Sequence, residues 1–242
     1  MVNADEEVFE VSNGRICRIA RGGLIRILRG LTSALFALIF CFAAGSSPAR
    51  AHPHAWIDLR STVVLDAAGR VTAIEQQWLF DQFYTVFATE GLSGAAGARA
   101  EALTMLARSN LQKLRPYDYF TEVRAGGAEV GLGAVSEFES ELRDGRLWMR
   151  FVVPLATPVD PTERALAFAV FDPTYYIEIL HLQGDVVAFR GGGGEAAGCS
   201  GRIVPPNPTI DAVLLAQAMD RDATPDATLG RVFAEQVEVT CR

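Results

Sequence analysis

Residues 54–80 read His54-Ala55-Trp56-Ile57-Asp58-Leu59-Arg60-Ser61-Thr62-Val63-Val64-Leu65-Asp66-Ala67-Ala68-Gly69-Arg70-Val71-Thr72-Ala73-Ile74-Glu75-Gln76-Gln77-Trp78-Leu79-Phe80. The first twelve alternate. Ala55, Ile57, Leu59 and Val63 fall on one face, and His54, Trp56, Asp58 and Arg60 on the other. A period of two with one apolar face is the pattern of a half-buried β-strand. Residues 66–70 hold an Asp and a Gly and form a hairpin loop, and residues 71–80 are the return strand. The fold is therefore expected to be built on a β-hairpin.

Downstream of the hairpin the character changes. Residues 81–89 read as a short helix that packs Phe83, Val86 and Phe87 inward, followed by a loop of small residues over 91–97. Residues 98–114 have helical periodicity, with Leu103, Leu106, Leu111 and Leu114 on the buried face, and Pro116 ends the run. Strand signals return over 117–124 and 136–143. A tight turn at Asp144-Gly145-Arg146 leads into an apolar strand over 147–155, and Pro154, Pro158 and Pro161 mark an exit loop. Further strands are expected over 165–171 and 175–182, broken at Asp172-Pro173, and over 186–190. In the tail, Pro205, Pro206 and Pro208 form a stiff linker. A helix follows over 210–219 with Val213, Leu214 and Ala218 aligned, then a second over 229–235, before Val237, Val239 and Cys241. The whole reads as a mainly β to α+β domain over residues 52–242. It has a sandwich-like core, a helical insertion at about 81–115 and a C-terminal segment at about 199–242.

Upstream lies a segment of different chemistry. Arg15, Arg18, Arg21, Arg26 and Arg29 precede an apolar run over 31–44, shorter than the ~20 residues of a membrane-spanning helix. Small residues follow, with Ala49 and Ala51 at the −3 and −1 positions of a signal-peptidase site. Residues 1–51 are therefore expected to be a signal peptide, cleaved after Ala51, placing the mature chain in the periplasm. A retained membrane anchor is the rival reading.

The full chain carries 22 Lys+Arg and 29 Asp+Glu, a net charge of −7. Removing the six basic and four acidic residues of 1–51 leaves 16 and 25, a net charge of −9. That balance argues against nucleic acid, which asks for a basic face. Cys17 and Cys41 leave with the signal, so the mature chain keeps Cys199 and Cys241. An even pair in an oxidising compartment is most simply one disulfide.

The chemistry is concentrated in His52-Pro53-His54, two of the chain's three histidines. Cleavage after Ala51 would put a free amine and an imidazole on His52. Pro53 has no amide proton, so the square-planar amino-terminal chelate of copper or nickel is excluded. Imidazole coordination, with or without the terminal amine, remains. Asp172 sits at a strand break, where it is either a metal ligand or the head of an Asx turn. Asp81 is either a helix N-cap or a ligand. Asp58 shares the His54 face and could equally form a salt bridge. His181 has the parity of Tyr175, Ile177 and Ile179, which makes it a core histidine or a distant ligand, and Tyr175 either walls a site or packs. No nucleophile carries a GxSxG signature and no HExxH zinc motif is present.

Five pieces of the chain together resemble a known group: HPHAWID, WLFDQFY, FDPTYYIEI, Gly198-Cys199 and a closing FAEQVEVTC. They are similar to an uncharacterised bacterial family described as the periplasmic component of an ABC-type transport system. Its members tend to be encoded beside nickel/cobalt- or zinc-type permeases. The resemblance covers residues 52–242. It implies a partner, a membrane metal permease or ABC-type transporter, and a cargo or cofactor, a divalent nickel, cobalt or zinc ion. The family has no established mechanism, so no residue role is carried over. Many relatives carry an acidic, EF-hand-like loop after the WxxD segment. Residues 91–98 here have no acidic residue, and no calcium site is expected.

The expectation is thus an exported, non-enzymatic metal-binding accessory protein that is not itself membrane-spanning. His52, His54, Asp172 and His181 are the candidate ligands, with Asp58, Asp81 and Tyr175 around them. The alternatives are a non-metal interaction or adhesion sandwich, and a copper enzyme using the His52 amine and imidazole.

Overall fold

The computed structural model describes residues 53–92, 95–184, 187–191, 198–218 and 228–242. Residues 1–52, which include the expected signal segment and His52, lie outside the described residues.

The opening hairpin is β1 (Ala55–Leu65) and β2 (Val71–Phe80), paired antiparallel from Ile57↔Phe80 to Leu65↔Val71. Asp66 closes it. Its Oδ1 accepts from the backbone N–H of Ala68 and Arg70, at 3.0 and 2.9 Å, while Gly69 supplies the positive φ of 78°. The inner face of β1 is buried at every second residue from Ala55 to Leu65, as the alternation requires.

After β2 come helix α1 (Gln82–Ala88), helix α2 (Ala96–Leu114) and a 3₁₀ turn over Arg115–Phe120. The strands that follow are β3 (Thr121–Ala125), β4 (Ala128–Glu129), β5 (Phe138–Arg143), β6 (Arg146–Val159), β7 (Leu166–Val170), β8 (Ile177–His181), β9 (Ala188–Gly191) and β10 (Cys199–Val204). Helices α3 (Ile210–Ala218) and α4 (Leu229–Val232) lead into β11 (Gln236–Cys241). One sheet has the order β5-β6-β2-β1-β8, and β9 pairs with the far part of the same edge of β1. The other has the order β10-β11-β7-β3-β4. Both β8 and β9 run parallel to β1; the other pairings are antiparallel.

A single core cluster draws from both sheets: Ile57, Leu59, Trp78, Met149 and Phe151 from one, Val123, Phe168 and Val237 from the other. Leu103, Ala107 and Leu111 of α2 join it. A polar link crosses the core as well. Gln76, fully buried, accepts from Trp78 Nε1 at 2.9 Å and donates to Thr121 Oγ1 at 2.6 Å, joining β2 to the start of β3. The expected mainly β to α+β fold with a helical insertion is what forms.

Cys199 and Cys241 are bonded, with Cα atoms 4.0 Å apart, and they are the first register pair of β10 and β11. The tail is tied as expected. The register explains why: two antiparallel strands paired at these positions set the two cysteines opposite each other.

Four readings of the sequence are corrected. The expectation that α1 buries Phe83, Val86 and Phe87 fails, since they are 86%, 66% and 76% exposed and Thr85 is buried instead. Thr85 Oγ1 accepts from Leu147 N at 3.0 Å and donates to Asp81 O at 2.7 Å, which fixes the rotation of the helix. In α3 the buried residue is Ala216, and Leu214 is exposed. Residues 115–120 are a 3₁₀ turn, so the strand begins only at Thr121. Finally, β6 runs through Pro154 and Pro158 to Val159. Its pairing with β2 shifts register between Val71 and Ala73, and a register shift is where a strand tolerates proline.

Candidate functional site

His54 stands one residue before β1. Its backbone N–H donates to Tyr176 O at 2.9 Å, and its ring lies 4.4 Å from the Tyr176 ring, tilted by 34°. Three of the candidate residues gather at this end of β1. Asp81 caps α1, with Oδ1 accepting from Tyr84 N at 2.9 Å, while Oδ2 accepts from Trp56 N at 3.0 Å. Asp81 N returns a bond to Trp56 O at 2.9 Å. Asp81 is therefore an N-cap and a clamp on β1 at once.

Asp172 reaches the same end through β8. Its Oδ1 accepts from the amide and hydroxyl of Thr174, at 2.9 and 2.8 Å, and Oδ2 accepts from Ile177 N at 3.0 Å. Ile177 pairs with Ala55, which is how Asp172 comes to lie near the start of β1. Asp172 is 5% exposed as a residue, and its carboxylate heads an Asx-type turn. Tyr175, at a positive φ of 56°, stacks on Phe233 with centroids 4.0 Å apart and donates to Glu178 Oε1 at 3.0 Å. Burial, with the Glu178 carboxylate beside the hydroxyl, pushes its phenol well above the ordinary value. Tyr175 packs rather than walls a site. Asp58 pairs with Arg146 at 2.8 Å on the outer face of the sheet.

His181 is not brought to His54. It pairs with Leu59, five residues further along β1, which separates the two backbones by about 16 Å. Both ring nitrogens already have partners. Nε2 lies 2.9 Å from Ser61 Oγ, and Nδ1 lies 2.8 Å from Glu235 Oε2, which also accepts from the His181 amide at 2.8 Å. A hydroxyl, an imidazole and a carboxylate in line have the spacing of a nucleophile relay. Here Ser61 is 2% exposed and the His181 side chain 3%, so substrate has no access. The relay ties β1, β8 and the approach to β11. Sequence reading passed over both partners. Ser61 had the parity of the apolar face, the one signal available, and Glu235 lies 54 residues from His181.

Among the described residues no three of His, Cys, Asp and Glu are grouped so as to hold a metal ion. Among the described residues His54 is the one imidazole at this end, and Asp81 and Asp172 are engaged by backbone amides, so these residues do not complete a three-ligand site.

A two-sheet β domain, tied by a terminal disulfide and lacking, among its described residues, a helix long and apolar enough to cross a membrane, is the class of molecule so defined. Residues 37–241 match the family described as protein of unknown function (DUF1007), and the chain belongs to it. It is 23% identical over 196 residues to an uncharacterized protein of Haemophilus influenzae, covering 79% of this chain and 91% of that one. It is 30% identical over 95 residues to an uncharacterized 15.5 kDa protein in the trpE 3'region of Spirochaeta aurantia, covering 38% of this chain and 67% of that one. No solved structure matches the chain.

Proposed function

We propose that this chain is an exported periplasmic accessory protein that presents or senses a divalent nickel, cobalt or zinc ion for a membrane permease. One observation supports it above the rest. The histidine-bearing start of β1 is hydrogen-bonded through Trp56 to Asp81, the cap of α1, and α1 exposes Phe83, Val86 and Phe87. A ligand end and an apolar face of three large side chains therefore adjoin. Exposed apolar clusters of this kind mark interaction sites. In this reading His52 and His54 take the ion by their imidazoles, and α1 meets the partner.

Metal titration of the processed protein tests it. Nickel, cobalt or zinc should bind to the chain that begins at His52. Binding should be lost in the His52→Ala/His54→Ala double variant and weakened by an extra residue placed before His52. Because protons compete for imidazole, affinity should fall as the solution is acidified below neutral pH. Equal binding by the wild type and the double variant would overturn the metal reading. The exposed α1 face would then favour the second reading, a periplasmic interaction domain that binds its partner without metal.

A further inference from the structure

A cavity of about 360 Å³ opens between α2, the 3₁₀ turn and residues 134–138. It falls within the ~300–1,000 Å³ of typical small-molecule sites. Its polar wall is Arg108, Gln112, Arg115, Tyr119 and Ser136, and Leu111, Val135 and Phe138 add apolar surface; no carboxylate lines it. That is a local reversal in a chain of net charge −7. Arginines on the sheets are paired: Arg146 with Asp58, Arg150 and Arg190 with Glu75, Arg202 with Glu238. Among the described residues neither Arg108 nor Arg115 makes an ion pair, and Arg108 instead lies over the Phe138 ring at 5.5 Å. The acids that flank Phe138 in sequence, Glu137 and Glu139, are held by Arg150.

Backbone strain supplies the second observation. Asp118, Tyr119 and Phe120 have φ of 50°, 55° and 58°, three consecutive non-glycine residues in the left-handed region. Each costs about 1–2 kcal/mol. Such strain persists where the surroundings impose it, and it clusters at ligand sites. Here it turns Tyr119 inward, 4% exposed, while Tyr117 is 59% exposed. The Tyr119 hydroxyl accepts from Val135 N at 3.1 Å, which leaves its own proton to be donated.

We propose that this cavity binds a small organic dianion, a short dicarboxylate, with Arg108 and Arg115 each taking one carboxylate. Arg108 and Arg115 are seven residues apart, about 10 Å along a helix, which suits two acidic groups joined by a short chain rather than one ion. Guanidinium is the donor best matched to a carboxylate, by two parallel hydrogen bonds. Tyr119, Ser136 and Gln112 add neutral polar partners, and Leu111, Val135 and Phe138 accommodate the methylenes. The site shares no residue with the metal reading, so each stands or falls alone.

Calorimetric titration of the mature chain with succinate, glutarate, adipate, acetate and inorganic phosphate is the test. One of the dicarboxylates should bind at least tenfold more tightly than acetate or phosphate. Arg108→Gln and Arg115→Gln should each weaken it by about tenfold or more, the loss of a charge-assisted hydrogen bond. Arg99→Gln, on the same helix but off the wall, should leave it unchanged. Both wall arginines are exposed, so these variants keep the fold. No heat with any dicarboxylate at millimolar concentration would overturn the proposal, as would full affinity in an Arg108→Gln/Arg115→Gln double variant or phosphate binding as tightly as the acids.

Discussion

Glu75 shows how a single buried charge on a sheet face is kept. It is 6% exposed, and its Oε2 accepts from Arg150 at 2.7 Å and Arg190 at 2.6 Å. Burial alone pushes its carboxyl up. The hydrogen bond from Arg150 and the charges of Arg150 and Arg190 outweigh that, and hold it below the ordinary glutamate value. A carboxyl depressed in the folded state stabilises fully above its unfolded pKa, and that contribution is lost as pH falls through the folded value. The melting temperature should therefore hold from neutral pH down to the carboxylate range and fall below it. Glu75→Gln should cost about 1.5–3 kcal/mol at neutral pH, with the gap to wild type narrowing in acid. Parallel melting curves for the two proteins across that range would contradict the assignment. His181 makes a different kind of case, a side chain only 3% exposed whose two ring nitrogens are both taken up, by Ser61 and Glu235. His181→Ala strands the Ser61 hydroxyl and the Glu235 carboxylate, and should cost about 2–4 kcal/mol in a denaturant titration. If His181 is structural, metal affinity should be untouched by that change and reduced by His54→Ala.

At the scale of elements, what could be read in advance was whatever repeats with a short local period. The β1–β2 hairpin was legible because one buried face forces a strict alternation, and a slip of one residue would turn Ile57 and Leu59 to solvent. Helix α1 was misread because its apolar residues do share a face. Its rotation is set by Asp81 and Thr85, whose partners Trp56 and Leu147 lie on two different strands. The 3₁₀ turn was illegible for a related reason: its left-handed run contains no glycine to announce it. Of the candidate site, the approach of His54, Asp81 and Asp172 to the same end of β1 follows from strand pairing and a helix cap that no local pattern reveals. Gly230 belongs here too. A Cβ on it would meet Asp172 O at 1.8 Å, so α4 approaches the 172–173 turn only as glycine. Gly230→Ala should shift α4 away and destabilise the protein by about 1–3 kcal/mol, read by thermal melting. The disulfide is the other tie. Its loop spans 42 residues, worth roughly 4 kcal/mol in the chain-entropy account. Reduction should lower the melting temperature of the wild type and leave a Cys199→Ser/Cys241→Ser variant unmoved; equal effects on both would show that the bond does not stabilise the fold.

The two sheets of the described domain share one main core, beside a small cluster of Tyr175, Ala216 and Leu229, and that decides how it should unfold. Two sheets could in principle melt separately, because the hydrogen-bonded pairing within each is closed on itself. Against this, Trp78 of β2 is 1% exposed and packs on Phe151 of its own sheet at 5.1 Å and on Phe120, which leads into the other sheet, at 6.3 Å. Gln76 bonds Thr121 across the same gap, and the His181 network reaches Glu235 just before β11. Losing either sheet would expose the apolar face of the other, at about 25 cal/mol per Å² uncovered, and strand those buried polar groups. Neither half has a state of its own to fall back on. Unfolding of this domain in denaturant should therefore be a single transition, with tryptophan fluorescence and far-ultraviolet dichroism superimposing at one midpoint. Gln76→Ala should move both signals together to lower denaturant. If the two probes separated, with one sheet surviving the loss of the other, the shared core would not be what holds this molecule together.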